Sequence, residues 1–567
     1  MNARYAVSTL FGLLSALGTV LVLGGCSAAS SPGQGAPTNP SEGAVDRQPK
    51  VNRVVLGIEP LARETFESRN VYPPGSWYVR PPYEYLIGVN PESGKFVLQL
   101  ATDWNVEPDG QSIRMQLRKG VRFHGDWGEF TSRDIAPVRE EMIKEDSLHG
   151  NPPYWRSVVK TIETPSDYEV IFRLTRPDGN FYSSVGEAES GMEISSSKEL
   201  REKGPATMQT GPLAGTGPYQ FKGYVSGQYL RFERAPYKHW RATPDFPEFE
   251  FRFMKEASTR MAALLAGEIH IANLPQDLQA QVEKQGMKTV VGKVQALRNF
   301  LEFQGVFLKD PKDPLQGYMY PNSPLMDIRV RHALNIGFDR KVINQAFFGG
   351  KGQPMMQNHF NPSRPGWNPE WLKPYDIVYG YNLDKAKSLL AEAGYGPNTP
   401  LKMNLLVIPN ALFSGAEDVT EAVAGAWQKL GVSTTLIPIT TNDFSTGTRV
   451  RKFDNHIVIM ATNSNLLLGS SVYNSSGVYG TGGGGGSGMH DPEIDKMVRD
   501  LWYTLDEKAQ AQAARKLGDT LFAGYRDIPL FWLPAEMTVN PKVVTDWVFP
   551  GSIFGTWGRF ENIKAAR

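Results

Sequence analysis

Serine, histidine, cysteine and the carboxylates are the side chains with which a protein does covalent or metal chemistry, and here their spacing favours neither. The eight histidines, at positions 124, 149, 239, 270, 332, 359, 456 and 490, are scattered. None forms an HExxH pair or another spacing that sets two metal ligands on one helix face. Ser195-Ser196-Ser197-Lys198 has the SxxK spacing in which a lysine can activate a serine nucleophile, but no KTG follows and the run reads as a solvated helix start. There is no GxSxG elbow and no GxxxxGK[ST] phosphate loop, and Gly215-Thr216-Gly217-Pro218 lacks the third glycine of a dinucleotide turn. Carboxylates are plentiful, yet no pair of them stands out as acid and base. The single cysteine, Cys26, excludes an intrachain disulfide and any cluster of several thiolates. The expectation is a protein that binds without transforming, with no catalytic residue and no cofactor; a metal site assembled only in three dimensions stays open.

Cys26 has a context of its own. Arg4 precedes an uncharged, mostly apolar run over residues 6–23, the charged-then-hydrophobic order of an export signal, and the run ends in Leu23-Gly24-Gly25-Cys26. An aliphatic residue, two small residues and a cysteine resemble the lipobox of bacterial lipoproteins, in which a diacylglycerol is joined to the thiol and the chain is cut just before it. The resemblance implies a signal peptide over residues 1–25 and lipid attachment at Cys26. An uncleaved signal anchor with an incidental cysteine is the alternative. Two or more acyl chains, at ~0.8 kcal/mol per buried methylene, hold a protein stably at a membrane. Residues 26–50 are rich in Ser, Pro, Gly and Ala and lack aromatics, the composition of a flexible tether.

The body beyond the tether must position whatever residues bind. With 567 residues, 41% of them hydrophobic and 11% aromatic, the chain has material for two to four domains. Lys+Arg total 60 and Asp+Glu 59; removal of residues 1–25 takes away Arg4 alone and leaves 59 of each. Without a basic field to hold a polyanion, nucleic acid is not expected as a partner. Alternation at Ile113, Met115 and Leu117, at Tyr168, Val170, Phe172 and Leu174, and at Phe249, Phe251 and Phe253 predicts half-buried strands. Helices are predicted with Ser258 as cap and Gly267 as stop, with Asp339 and Gly349, with Asn382 or Asp384 and Gly394, and along Val419, Val423, Ala426 and Leu430 up to Gly431. Strands and helices interleave, which predicts a mixed α/β fold. Residues 481–488 (TGGGGGSG) are predicted to be a mobile loop.

Four segments, in this order, resemble the extracellular solute-binding proteins of the peptide/nickel class, family 5, which serve ATP-driven (ABC) importers. They are residues 100–134, with Phe123-His124 and a Thr131…Asp134 helix start; residues 215–240, opening on Gly-Thr-Gly-Pro-Tyr; residues 325–349, with Asp327-Ile328-Arg329-Val330-Arg331-His332-Ala333-Leu334; and residues 381–395, YNLDKAKSLLAEAGY. The resemblance implies a periplasmic-binding-protein-like bilobal clamshell. Lobe I would comprise residues 51–299 with 532–567, including an extra subdomain at about 86–214, and lobe II residues 300–531. Two crossing strands, near residues 299–304 (NFLEFQ) and 528–533 (IPLFWL), would form the hinge. It further implies a monomer whose partners are a small solute (oligopeptide, modified peptide or oligosaccharide), the permease and ATPase subunits, and the membrane reached through the lipid anchor on its periplasmic or extracellular side. A sensor or chaperone of the same fold, and a secreted hydrolase, are the alternatives.

In peptide-binding members of that family an aspartate just after a second-lobe strand pairs with the peptide's N-terminal ammonium. The matching strand here is residues 455–460 (NHIVIM), and Ala461-Thr462-Asn463-Ser464-Asn465-Leu466 follows with no acid. An amide cannot neutralise a buried ammonium. The expectation therefore moves from a free peptide toward an uncharged or blocked solute, with Asn463 and Asn465 as hydrogen-bonding contacts. Trp77, Tyr78 and Trp532 are candidate stacking platforms, and His359 is a candidate from a cleft-facing loop; core packing and a solvated loop position are the respective alternatives. For the anchor, Cys26→Ser is expected to abolish metabolic labelling of the protein with a radiolabelled fatty acid and to release it from the membrane fraction; unchanged labelling would refute lipid attachment at Cys26.

Overall fold

The computed structural model describes residues 48–60, 65–67, 70, 78–147, 152–188, 192–362, 366–408, 415–463, 475, 488–549 and 558–567. The signal and the tether up to residue 47, with Cys26, and also Trp77, Asn465 and residues 481–487 of the glycine run lie outside them.

Helix starts and stops follow the local chemistry closely. Asp339 and Asn382 cap the helices Arg340–Phe348 and Leu383–Glu392 with their side chains, and Gly349 and Gly431 take the left-handed conformation after Arg340–Phe348 and Ala416–Leu430. Ser258 is not a cap. The backbone turns helical one residue after Glu256, so Ser258 lies inside Ala257–Ala266, while Gly267 ends that helix as expected. The serine run does start a helix, Ser197–Lys203, with its first residue buried. Ser196 accepts from Glu199 N, and Ser197 donates through both N and Oγ to Asp134 Oδ1 at 3.0 and 2.7 Å, while Lys198 is exposed. Asp134 also accepts from Thr131 N, closing a capping box.

One mixed sheet runs through the molecule. From one edge its strands are Ser433–Pro438, Lys402–Val407, His456–Asn463, Lys288–Val306, Asp527–Val539, Ile271–Ala272, Arg53–Ile58, Glu248–Phe253, Tyr229–Arg234 and Tyr219–Val225. The 19-residue strand Lys288–Val306 is central. Its residues 297–304 pair antiparallel with His456–Asn463, and on its other edge it pairs antiparallel with Asp527–Val539. The segments NFLEFQ and IPLFWL lie within these two strands, with Leu301 opposite Ile528 and Glu302 opposite Asp527.

Separate apolar clusters form along this sheet. One joins Val54, Leu56, Phe249 and Phe251 to Met537, Trp547, Phe560 and Ile563, so the C-terminal residues complete a core begun near residue 54. A second gathers Leu301, Phe303, Leu334, Leu405, Val423, Trp427, Ile457 and Phe531. A third surrounds the four-stranded antiparallel sheet Ala101–Val106, Ser112–Leu117, Glu169–Leu174 and Val159–Ser166, and extends to Phe360, Trp371, Trp502 and Leu517. Gly179 N donates to Trp502 O at 2.7 Å at that contact.

The Gly-Thr-Gly-Pro-Tyr segment is a brace against this body. A Cβ on Gly215 would lie 1.9 Å from Pro82 O, and Gly217 N donates to that same oxygen at 2.9 Å. His124 Nε2 meets Gly217 O and His239 Nε2 meets Thr216 O, each at 2.7 Å. Burial pushes His124 down to about 4, so it makes this bond as a neutral ring. Gly215→Ala has no room without backbone movement and is expected to cost ~3 kcal/mol in urea unfolding; a loss under ~0.5 kcal/mol would show that the backbone yields freely there.

Candidate ligand-binding site

Strand pairing engages the backbone while side chains stand out from the two faces of the sheet, so a polar side chain buried on such a face must find partners among neighbouring groups. The central strand carries four such residues within seven positions: Arg298, Asn299, Glu302 and Gln304, all buried. Asp527 stands opposite Glu302, and Trp532 opposite Arg298. The short strand Gln353–Pro354 pairs with Trp532 and Phe531 and delivers the following turn, with Gln357, Asn358, His359 and Asn361, to the same place.

The turn is held tightly. Phe360 N donates to Gln357 O at 3.1 Å, and Trp532 Nε1 donates to Phe360 O at 3.2 Å. His359 sits at φ 73°, a left-handed conformation uncommon outside glycine. Arg298 Nη1 donates to Asn358 Oδ1 and to His359 Nε2, both at 2.7 Å, and Asn358 Nδ2 donates to Asp527 Oδ2 at 2.7 Å. Because Nε2 accepts from the guanidinium, His359 is the neutral Nδ1-protonated tautomer. Gln304 Nε2 donates to Glu302 Oε1 at 2.6 Å.

Burial raises the Glu302 carboxyl to about 7; nearby Arg298 lowers it, and Asp527 raises it further. Several buried polar atoms are left over. Among the described residues, Asn299 and Gln357 find no hydrogen-bond partner for either amide atom, nor does Gln304 for Oε1. Such atoms are costly unless a ligand or ordered water satisfies them.

A second buried ionic system, elsewhere in the fold, behaves differently. Arg80, Glu187, Arg559, Glu561, Arg241 and Glu84 form a chain of alternating charge, with Arg559 to Glu187 at 2.6 Å and Arg241 to Glu84 at 2.9 Å. Burial alone would raise Glu84, but His239 and Arg241 hold it down to about 2. Three arginines alternate with three glutamates, so the formal charges of the system balance.

The residues singled out in the sequence divide between these surroundings. His359 and Trp532 meet at the polar cluster. His359 is fully buried there, not a solvated loop residue, because Arg298 and the turn enclose it. Tyr78 lies in the apolar cluster with Val54 and Phe251, its hydroxyl donating to Thr65 O at 2.7 Å. Asn463 ends its strand opposite Leu297, beside the pairing of Thr462 with Arg298; its side chain lies outside the described residues, as do Trp77, Asn465 and Cys26. Arg298, Asn299, Glu302, Gln304, Gln357, Asn358, Asn361 and Asp527 escape sequence reasoning. The available signal is Asn, Glu and Gln interrupting NFLEFQ, a run that otherwise reads as apolar.

Residues 95–483, more than half of the chain, match the family described as bacterial extracellular solute-binding proteins, family 5. The heme-binding protein A of Haemophilus influenzae is 27% identical over 59% of this chain and 60% of its own length. The oligopeptide-binding protein AppA of Bacillus subtilis is 27% identical over 53% of this chain and 51% of its own length. The chain thus spans only about half to three fifths of these relatives. The solved structure of HbpA2 from Haemophilus parasuis superposes with a TM-score of 0.72 at 21% identity, covering 91% of this chain and 100% of that one. The mixed α/β architecture is therefore the bilobal one of periplasmic binding proteins, and the chain belongs to the family 5 extracellular solute-binding proteins of bacteria.

Proposed function

We propose that this protein is the substrate-binding component of an ABC importer, lipid-anchored through Cys26 outside the cytoplasmic membrane, and that it captures a peptide-like solute at the cluster around Arg298, Asn299 and Gln357 for delivery to a permease. The observation that carries this reading is the set of buried amide atoms on Asn299 and Gln357 that find no hydrogen-bond partner among the described residues, near the pairing of the two longest strands of the sheet. An amide offers both a donor and an acceptor, which matches the alternating N–H and C=O groups of a peptide backbone. Family membership and the oligopeptide-binding relative support the same solute class.

Lobe I is assigned to residues 51–299 with 532–567, its extra subdomain to about 86–214, and lobe II to residues 300–531. The strand pair centred on Leu301 and Ile528 then lies at the junction, and a solute touching groups from both lobes stabilises the closed form by its additional contacts there. His359 and Trp532 hold the turn in position. Asn463, Trp77 and Asn465 are further proposed contacts, whereas Tyr78 belongs to the apolar core. The protein changes no bond in the solute.

Native mass spectrometry of the protein purified from its own host is expected to show a bound peptide-like solute. Gln357→Leu, which keeps the side-chain volume and removes both hydrogen-bonding atoms, is expected to weaken that solute about thirtyfold, since one hydrogen bond is worth ~1 kcal/mol and two groups are lost. A solute of another class, or unchanged affinity in the variant, would overturn the assignment.

A further inference from the structure

A contact outside the solute site joins parts of the chain that the lobe assignment places on opposite sides of the hinge. The four-stranded sheet of residues 101–174 and the turn after it, 176–184, fall in the extra subdomain of lobe I, and the helices Pro492–Tyr503 and Glu507–Gly524 fall in lobe II. Phe172 and Phe181 from the first belong to one apolar cluster with Leu501, Trp502 and Leu517 from the second. Here Gly179 N donates to Trp502 O at 2.7 Å, and the Arg176 guanidinium lies 5.7 Å from the centre of the Tyr503 ring. Burial, and then the Glu507 carboxylate, push the Tyr182 hydroxyl up to about 12.

Gly179 is fitted to this contact. Its backbone is not left-handed, so the turn itself does not require glycine. A Cβ there would run into Gln510 Nε2, and would lie 2.9 Å from Thr504 O and 3.4 Å from Trp502 O. All three atoms belong to lobe II. The missing side chain thus makes room for the helices and not for the subdomain's own fold.

The same helices also support the solute site. Trp371 stacks on Phe522 of the second helix at 5.7 Å and meets Phe360 edge-on at 5.3 Å, and Phe360 O accepts from the Trp532 indole. The turn that carries Gln357 and the helices that receive Gly179 therefore pack as one body. Rotation of lobe II about the strand crossing that brings this turn toward lobe I also brings the helices toward the subdomain.

We infer that the extra subdomain docks on the helices of residues 492–524 when the lobes close, as a clasp that holds the closed form through contacts the solute does not make. This rests on the solute-binding reading and the lobe assignment proposed above. Because the clasp acts on the balance of open and closed forms, its loss lowers the apparent affinity for every solute by one common factor. Loss of a solute contact would instead discriminate among solutes.

The test uses the protein purified from its own host and freed of solute, with a library of tripeptides as the probe. Hydrogen exchange read by mass spectrometry is expected to slow at residues 176–182 and 502–510 when the peptides are added. Gly179→Leu is expected to abolish that slowing and to weaken the individual tripeptides about tenfold, each by the same factor, and Gly179→Ala to do so in part. Unchanged protection of the strands Ser112–Leu117 and Glu169–Leu174 in the solute-free variants shows that the subdomain is folded; where Gly179→Leu loses it, the alanine variant decides. Exchange that is the same with and without peptides at both segments would make the contact permanent and overturn the inference. A folded variant that binds as wild type, or that loses some tripeptides selectively, would overturn it too. In each of these cases binding of tripeptides by the wild type leaves the solute-binding reading intact, whereas no binding by the wild type would overturn the peptide-like reading and the inference together.

Discussion

The architecture depends on one backbone ladder, the antiparallel pairing of Lys288–Val306 with Asp527–Val539 in the middle of the sheet. Strands from the early part of the chain lie on one side of this pair and strands from residues 402–463 on the other, so the ladder is what makes them one sheet. The same pairing sets the chemistry of the centre. Arg298, Asn299, Glu302 and Gln304 of Lys288–Val306 are buried, and their partners must come from the opposite strand, from the 357–361 turn or from a bound molecule.

Two ways of burying charge coexist in this fold. The alternating chain from Arg80 to Glu84 satisfies its carboxylates by arginines and fixes the C-terminal Arg559 and Glu561 against residues near the start of the described body. Replacing either kind of member would leave an uncompensated neighbour, which is where the large cost of breaking buried pairs arises. The central cluster instead mixes one arginine, two carboxylates, a neutral histidine and several amides, with hydrogen-bonding capacity left over on Asn299, Gln304 and Gln357. Such a mixture is poorly suited to holding a fold together and well suited to holding a guest, because its missing partners are not supplied by the described chain.

Local structure was readable wherever a single residue decides it. Asp339, Asn382, Gly349 and Gly431 punctuate helices through their own side chains or backbone freedom, and the alternation at Ile113, Met115 and Leu117 reports a strand with one buried face. Ser258 misled because a serine two residues past the true cap, Glu256, looks the same in sequence as one at the cap. The site was scarcely readable. His359 and Trp532 were picked out, yet what unites them is the turn that brings His359 to Arg298 and Phe360 O to the Trp532 indole, contacts between residues 61 and 172 positions apart. Glu302 and Asp527 are unremarkable acids until strand pairing sets them side by side.

The contribution of the C-terminal residues to the first apolar cluster also constrains the order of events in folding. Arg559 bonds Val89 O across 470 positions, Ala565 N bonds Asp245, and Phe560 and Ile563 fill the core around Phe249 and Phe251. A chain that emerges amino end first must therefore hold Val54, Phe249 and their neighbours in an unfinished core until nearly all of it has been made. During that interval its apolar surface is exposed to aggregation, and holdase chaperones that cover such surfaces would matter more for this protein than for one whose early residues close a core among themselves.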